Sequence, residues 1–472
     1  MISRHLVFAV SLVLSVSLAS AVNAQIWSET TPELKQLEKI PSGVLEKAEL
    51  EKLIAIGEKL FGAKFTTLDG AGRPNATQAI VPTKARHRSN TGFARLPGPD
   101  AQACSSCHND PIIGGAGDFV TNVFVSEGFS NANFDTTDPQ FSNERGTNHL
   151  FGAGLVELLA REMSAELISI RNTALSKATA SNKSVVAKLE TKGVQFGSIT
   201  AFPDGLVDLT KIDGVDTDLV IRPFSQKGVM TSLRQFTVNA LNHHHGMQSD
   251  ERFGARWTGN DDFDEDGQKN EITNADVSAL VAWQATLPTP VKIDPQQTNW
   301  KQAAIRGERL FSEFKCNACH MTSLPLKSLK FQDPGPFDVS GTLNDKQVKA
   351  PAVYDMTLLD WVKSLPKNNK GETLVPLFGD LKRHKMTDRS ISGLGNELLS
   401  QRFVGRDIFM TAELWGLAST APYGHRNDFS TLDSIILAHG GNARNSRDAY
   451  ERADRETRSS IIAYLKTLVI KK

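Results

Sequence analysis

Two pentapeptides constrain this chain more than anything else in it: Cys104-Ser105-Ser106-Cys107-His108 and Cys316-Asn317-Ala318-Cys319-His320. Between them they use all four of its cysteines. Two cysteines separated by two residues and followed at once by histidine form the attachment signature of c-type haem. The chemistry explains the spacing. Each sulfur adds to a haem vinyl group as a thioether, and the adjacent histidine delivers an axial ligand, one of the protein's main controls on the iron. A pair of zinc knuckles would need extra cysteine or histidine at metal-finger spacing, which the sequence lacks. The expectation is therefore two covalently bound c-type haems, held by Cys104, Cys107, Cys316 and Cys319, with His108 and His320 on the proximal sides.

The N-terminus points to export. Arg4 and His5 precede an apolar run from Leu6 to Leu18 that is too short to span a bilayer. Val22-Asn23-Ala24 then places a small residue at a cleavage position. Residues 1–24 read as a signal peptide, with an uncleaved anchor as the competing reading, and the mature chain is expected to be soluble and periplasmic. Its 53 basic and 53 acidic residues balance, so no overall field favours nucleic acid or an anionic membrane.

Each haem motif follows a repeated helix end, Ile56-Gly57-Glu58-Lys59-Leu60-Phe61 and Arg306-Gly307-Glu308-Arg309-Leu310-Phe311. Two tandem domains follow, 25–290 and 291–472, with the break at Leu287-Pro288-Thr289-Pro290. The expected fold is mainly α: two cytochrome c-like haem domains with inserted loops and a few short strands. Helices are expected over 46–61, 151–176, 232–242, 274–287, 300–311, 433–439 and 455–467. Short strands are expected at 194–199 and 207–212, and a loop insertion at 62–103.

The tandem motifs, the Gly-Glu-x-Leu-Phe helix end and the segment Leu414-Trp415-Gly416-Leu417-Ala418-Ser419-Thr420-Ala421-Pro422-Tyr423-Gly424-His425 together resemble the bacterial dihaem cytochrome c peroxidase superfamily, which includes the MauG-type enzymes. Asp380-Leu381-Lys382-Arg383-His384-Lys385-Met386 and His439-Gly440-Gly441-Asn442-Ala443 resemble its dihaem oxidoreductase branch, often labelled putative thiol oxidoreductase. The resemblance implies an oxidoreductase of peroxidase type. One haem would pass electrons, while the first meets hydrogen peroxide or a related oxidant, and a redox protein would donate electrons. A plain dihaem electron-transfer cytochrome, and an oxygenase or protein-modifying enzyme on the same scaffold, are the alternatives.

The resemblance also implies ligands. In the peroxidases the distal ligand of the second haem lies fourteen residues beyond the histidine of the Thr-Ala-Pro-Tyr-x-His segment, a step that leads from His425 to His439. Met386, His384 and Met410 are rivals. Arg145-Gly146-Thr147-Asn148-His149-Leu150-Phe151-Gly152 resembles a stretch that runs by the first haem, which makes His149 a distal or gating candidate. Glu157, eight residues on, could share a face with it and carry protons to and from peroxide, as a pocket carboxylate does. Glu162 is its alternative. His243-His244-His245 could serve beside the first haem, as a metal site or as a solvated helix end.

Finally, Asp262-Phe263-Asp264-Glu265-Asp266-Gly267 has the alternating carboxylates and sixth-position glycine of an EF-hand loop. Thr273 stands at position twelve and Glu271 comes two residues early, so calcium is expected on an irregular loop formed by Asp262, Asp264, Asp266 and Glu271.

Overall fold

The computed structural model describes residues 37–76, 81–84, 101–123, 143–339, 341–397 and 403–471. The signal peptide, and residues 77–80 and 85–100 of the insertion before the first haem motif, lie outside the described residues. Among the described residues no helix is long and apolar enough to cross a membrane.

Two helix pairs organise the molecule. Helix α1, Lys47–Gly62, starts at a capping box in which the Glu46 amide donates to the Glu49 carboxylate at 3.1 Å. Helix α2 is the long Ala153–Ser181 and α3 is Leu233–Ala240. Helix α4, Asn274–Thr286, is apolar nearly all round and buried from Ala275 to Thr286, as such a helix must be. The second half carries α5, Thr298–Glu313, then α6, Leu432–Leu437, and α7, Arg455–Leu465.

Helix α1 crosses α4, and α5 crosses α7, at the repeated glycine. A Cβ on Gly57 would collide with the Ala279 carbonyl and the Trp283 side chain. A Cβ on Gly307 would meet the Ser460 carbonyl and Tyr464 in the same way. One turn on, Phe61 packs on Trp283 with ring centroids 4.3 Å apart, and Phe311 on Tyr464 at 5.6 Å. The glycine is thus a contact point that lets two helix backbones touch, and the aromatic pair fills the space beside it.

The expectation of a mainly α fold needs correction. The described residues also form two three-stranded and four two-stranded sheets. Val185–Thr191 pairs antiparallel with Val194–Ala201, although only the second was legible as a strand, because Val185-Val186-Ala187-Lys188-Leu189-Glu190 alternates too weakly to separate from the preceding helix. The strand expected at 207–212 shrinks to Val207–Asp208. Nor do the halves stand apart in every sheet: Gly43–Val44 runs parallel to Ala352–Val353, which in turn pairs with Gln332–Asp333. Arg234 fastens the same seam. Its guanidinium, 1% exposed, bonds Glu251 at 2.9 Å and Asp333 at 3.0 Å, and the Tyr354 hydroxyl donates to Asp333 at 2.9 Å. Paired and hydrogen-bonded in this way, buried charges can be carried in the interior.

Candidate haem centres

Both haem motifs begin as short 3₁₀ turns, Cys104–Ser106 and Cys316–Ala318, that place the histidine under the helix end. The His108 amide donates to the Cys104 carbonyl at 3.1 Å and the His320 amide to the Cys316 carbonyl at 3.0 Å. Phe61 lies 5.9 Å from the His108 ring and Phe311 lies 6.5 Å from the His320 ring. Nδ1 of His108 bonds the Gly115 carbonyl and Nδ1 of His320 bonds the Phe378 carbonyl, each at 3.3 Å. That hydrogen bond leaves Nε2 as the coordinating nitrogen, the arrangement metal-bound histidines adopt. Burial pushes both imidazoles down to about 4, so both are neutral, as a ligand must be. All four cysteines are free of disulfides. The residues present therefore fit two c-type haems.

Around each proximal histidine a second carbonyl comes from a repeated segment that sequence reading missed. Thr147-Asn148-His149-Leu150-Phe151-Gly152 and Thr411-Ala412-Glu413-Leu414-Trp415-Gly416 match in pattern. The Asn148 carbonyl supports the His108 ring and the Ala412 carbonyl the His320 ring. Gly152 and Gly416 both adopt the left-handed conformation, with φ of 80° and 79°. The two segments also pack on one another. A Cβ on Gly152 would strike the Trp415 ring, and one on Gly416 would press on Nε2 of His149. The Thr-x-x-Leu-aromatic-Gly spacing was the available signal.

His149 lies within the first of these segments. It adjoins Asn148 on the carbonyl-facing side of His108, and its Nε2 bonds the Trp415 carbonyl at 3.0 Å. Burial pushes it down to about 4, and its Nδ1 has no hydrogen-bond partner. A neutral ring held this way joins the halves of the molecule through the Trp415 carbonyl. Glu157 is likewise not brought to His149. One carboxylate oxygen pairs with Arg161, and the other accepts from the Leu233 amide at 2.7 Å, at the start of α3. Burial raises its pKa to about 7 against the pull of Arg161. With both oxygens engaged, it acts as a buried cap and ion-pair partner. Glu162 is also committed, to Lys192 at 2.7 Å and to the Lys327 and Ser328 amides.

Further histidines distinguish the two centres. His439 follows the last turn of α6, its Nδ1 bonded to the Ile435 carbonyl at 2.7 Å. Burial lowers its pKa, and its charge in turn lowers that of His320. Among the rivals, His384 bonds Asp380 at 2.7 Å beside Cys319; burial opposes its protonation, but Asp380 and Cys319 hold its pKa up to about 9. The Met410 methyl lies at Gly228. At the first centre burial lowers His108 most, and the charges of His244 and then His149 lower it further. His244 lies in a π-helical turn, Leu241–His245, a distortion that recurs at functional sites. Its neighbour His245 bonds the Ala101 carbonyl at 2.6 Å and approaches the Cys104 sulfur at 3.5 Å.

His425 sits at the seam, packed on Phe409 with ring centroids 4.5 Å apart and 3.7 Å from Glu397. Glu397 pairs with Arg145 at 2.5 Å and faces Lys227 at 3.5 Å. Burial, then the charges of Arg145 and Lys227, drive His425 down to about 3. The Gly146 amide donates to the His425 carbonyl at 2.9 Å, so this cluster ties the two halves together.

No protein-family model matches the chain, and no curated protein matches it. Among solved structures, Kuenenia stuttgartiensis hydrazine synthase aligns over 99% of this chain and 100% of that one, at 11% identity and a TM-score of 0.38. A MauG-like protein associated with microbial copper homeostasis aligns over 56% of this chain and 77% of that one, at 16% identity and a TM-score of 0.27. Likeness at this level carries no argument, so function rests on the residues.

Proposed function

We propose that this chain is an exported, periplasmic dihaem oxidoreductase of peroxidase type. Two bound haems supply the chemistry: electron transfer at the His320 centre, and reaction with hydrogen peroxide or a related oxidant at the His108 centre. The observation that carries the reading is the pair of Cys-x-x-Cys-His turns in equivalent places of a structural repeat, each histidine bonded through Nδ1 to a backbone carbonyl. His439, locked to its own helix, is the permanent second ligand at the second centre. His244, on a π-helical turn, is the residue that must stand aside for an oxidant to reach the first.

A second reading has one observation in its favour. If His244 holds its place in every oxidation state, both centres have two strong ligands and the protein only passes electrons. Half-reduced wild-type protein mixed with hydrogen peroxide separates the two. Rapid reoxidation, with one haem turning high-spin on half-reduction, supports the peroxidase reading. Two permanently low-spin haems and no peroxide reaction in either oxidation state overturn it.

A further inference from the structure

The loop that supports the second proximal ring also places charge beside its haem-attachment sulfur. Phe378 gives its carbonyl to Nδ1 of His320 at 3.3 Å. Two residues on, Asp380 is only 2% exposed. One of its carboxylate oxygens meets Nε2 of His384 at 2.7 Å, and the other accepts from the Lys382 amide at 3.0 Å. His384 is fixed in the strand Arg383–Lys385, which runs antiparallel to Ile408–Met410 with Phe409 as its partner. The Cys319 sulfur, an Asp380 oxygen and a ring nitrogen of His384 come within 4.8 Å of one another.

The first centre also has a histidine at a sulfur, but with a different partner. His245 approaches the Cys104 sulfur at 3.5 Å, and its Nδ1 bonds the Ala101 carbonyl at 2.6 Å. A carbonyl is an uncharged acceptor, whereas a carboxylate beside an imidazole favours the charged ring. Among the described residues, only the second centre groups a cysteine with a carboxylate and an imidazole in this way.

Burial opposes protonation of His384, but Asp380 and Cys319 hold its pKa up to about 9. A sulfur bound to haem as a thioether has no charge to contribute, so Asp380 then holds the proton without it and the ring titrates below about 9. Other elements flank the pair. The haem turn brings Cys319 and His320, and the following segment brings Glu413, raised to about 7 by burial with Asp380 adding to it. Lys382, Arg383 and Lys385 pair with Asp213, Asp216 and Asp407. Ile408–Met410 and the turn Gly441–Ala443 carry no titratable group.

We infer that Asp380 and His384 form a proton-bearing pair at the Cys319 sulfur that ties the reduction potential of the second haem to pH. His384 is a positioning residue here, acting through the sulfur side of the haem and not on the iron. While protonated, it cancels the Asp380 charge. Losing that proton leaves a bare buried carboxylate, which favours the more positive, oxidised centre and lowers the potential. In that window, reduction by a one-electron donor draws one solvent proton onto the His384 ring as the electron enters the haem. The inference rests on haem attachment at the second motif and is independent of any reaction with peroxide.

The test uses the full chain with both haems attached, reduced stepwise with dithionite and redox mediators from about pH 5 to about pH 10. Low-temperature electron paramagnetic resonance tells the two haems apart. The reduction equilibrium of the second haem should fall by roughly tenfold, which is 59 mV for one electron, as pH rises through a window below about 9, and then level. His384→Gln keeps a hydrogen-bond donor for Asp380 but no titratable ring. It should remove that step and hold the potential at its high-pH level. Asp380→Asn should move the step to lower pH, because an amide no longer favours the charged ring. Both variants should keep their low-spin signals. A second haem that turns high-spin in His384→Gln makes His384 an iron ligand and overturns the inference. A step that survives in His384→Gln and vanishes in Glu413→Gln gives the proton to Glu413 and overturns it too. A flat wild-type potential overturns it and leaves the dihaem reading standing. A chain with no haem on Cys319 by peptide mass spectrometry removes both.

Discussion

The two halves of the molecule share a Cys-x-x-Cys-His turn under a helix end and differ in the setting of the further histidine proposed for each centre. Gly57 and Gly307 let helices cross at the same depth, Phe61 and Phe311 pack beside the proximal rings, and Nδ1 of each proximal histidine meets a carbonyl at 3.3 Å. His439 follows a short regular helix, whereas His244 sits in a π-helical turn. The repeated parts set the same ring tautomer in both motifs, each Nδ1 on a backbone carbonyl. Division of labour comes from the unrepeated parts.

The largest effects should appear where the halves differ. His439→Ala should turn the second haem wholly high-spin and leave the first unchanged, and His244→Ala should do the reverse. The two substitutions are read side by side by electron paramagnetic resonance of the oxidised protein. If both alter the same signal, the pockets have been paired wrongly.

Next come the glycines, where the halves should agree. Gly57→Ala and Gly307→Ala each push a methyl group into a carbonyl of the partner helix, and overpacking of this kind costs about 1–3 kcal/mol. Both variants should melt earlier than wild type by a similar margin in chemical denaturation. A large loss at one glycine and none at the other would mean that the two crossings are not equivalent.

A smaller effect separates structure from catalysis at Glu157. Its pKa is raised from 4.5 in the unfolded chain to about 7 in the fold, so the folded state binds the proton more tightly. The sign follows: this contribution to stability is fully present below about 4.5 and is lost as pH rises towards about 7. Glu157→Gln should flatten the stability profile across that window. Because both carboxylate oxygens are engaged away from His149, the same variant should keep the peroxide rate within a few-fold of wild type. A loss of ~10²-fold or more would restore it as a proton carrier.

Much of this was legible in the sequence, for a physical reason. Cysteine spacing encodes local geometry directly, so Cys104 to His108 and Cys316 to His320 stood out as a repeated pair, and both fold as the same 3₁₀ turn. The Gly-Glu-x-Leu-Phe helix ends announced the repeat, and helical periodicity located α1, α2, α4, α5 and α7 within a few residues. The alternating aspartates of residues 262–266 showed as a pattern because they are local in sequence, and their carboxylates do come within 4.8 Å of one another. What stayed hidden depends on contacts between distant segments. Nothing local says that Arg145 meets Glu397 or that Gly146 meets His425. The weak strand Val185–Thr191 is stabilised by its hairpin partner, so its own alternation is faint. The bond from His149 to the Trp415 carbonyl is hidden for the same reason, since the two lie far apart in sequence.

The smallest effect tests that packing. His149 and Glu413 occupy matching places in the repeated Thr-x-x-Leu-aromatic-Gly segments, yet one is a base driven down to about 4 and the other an acid driven up to about 7 by burial. Both are therefore neutral near the middle of the pH range, which is how a buried seam accommodates two titratable groups. His149 contributes one hydrogen bond, to the Trp415 carbonyl at 3.0 Å. His149→Ala should remove it and cost about 1–2 kcal/mol, the range for a hydrogen bond lost inside a protein with a small cavity left behind. Spectra of both haems should keep their spin states, since the proposed reading assigns the labile position at the first centre to His244 and gives His149 the Trp415 carbonyl. A change in the spin state of the first haem in His149→Ala, with none in His244→Ala, would exchange the two histidines and put His149 back over the iron.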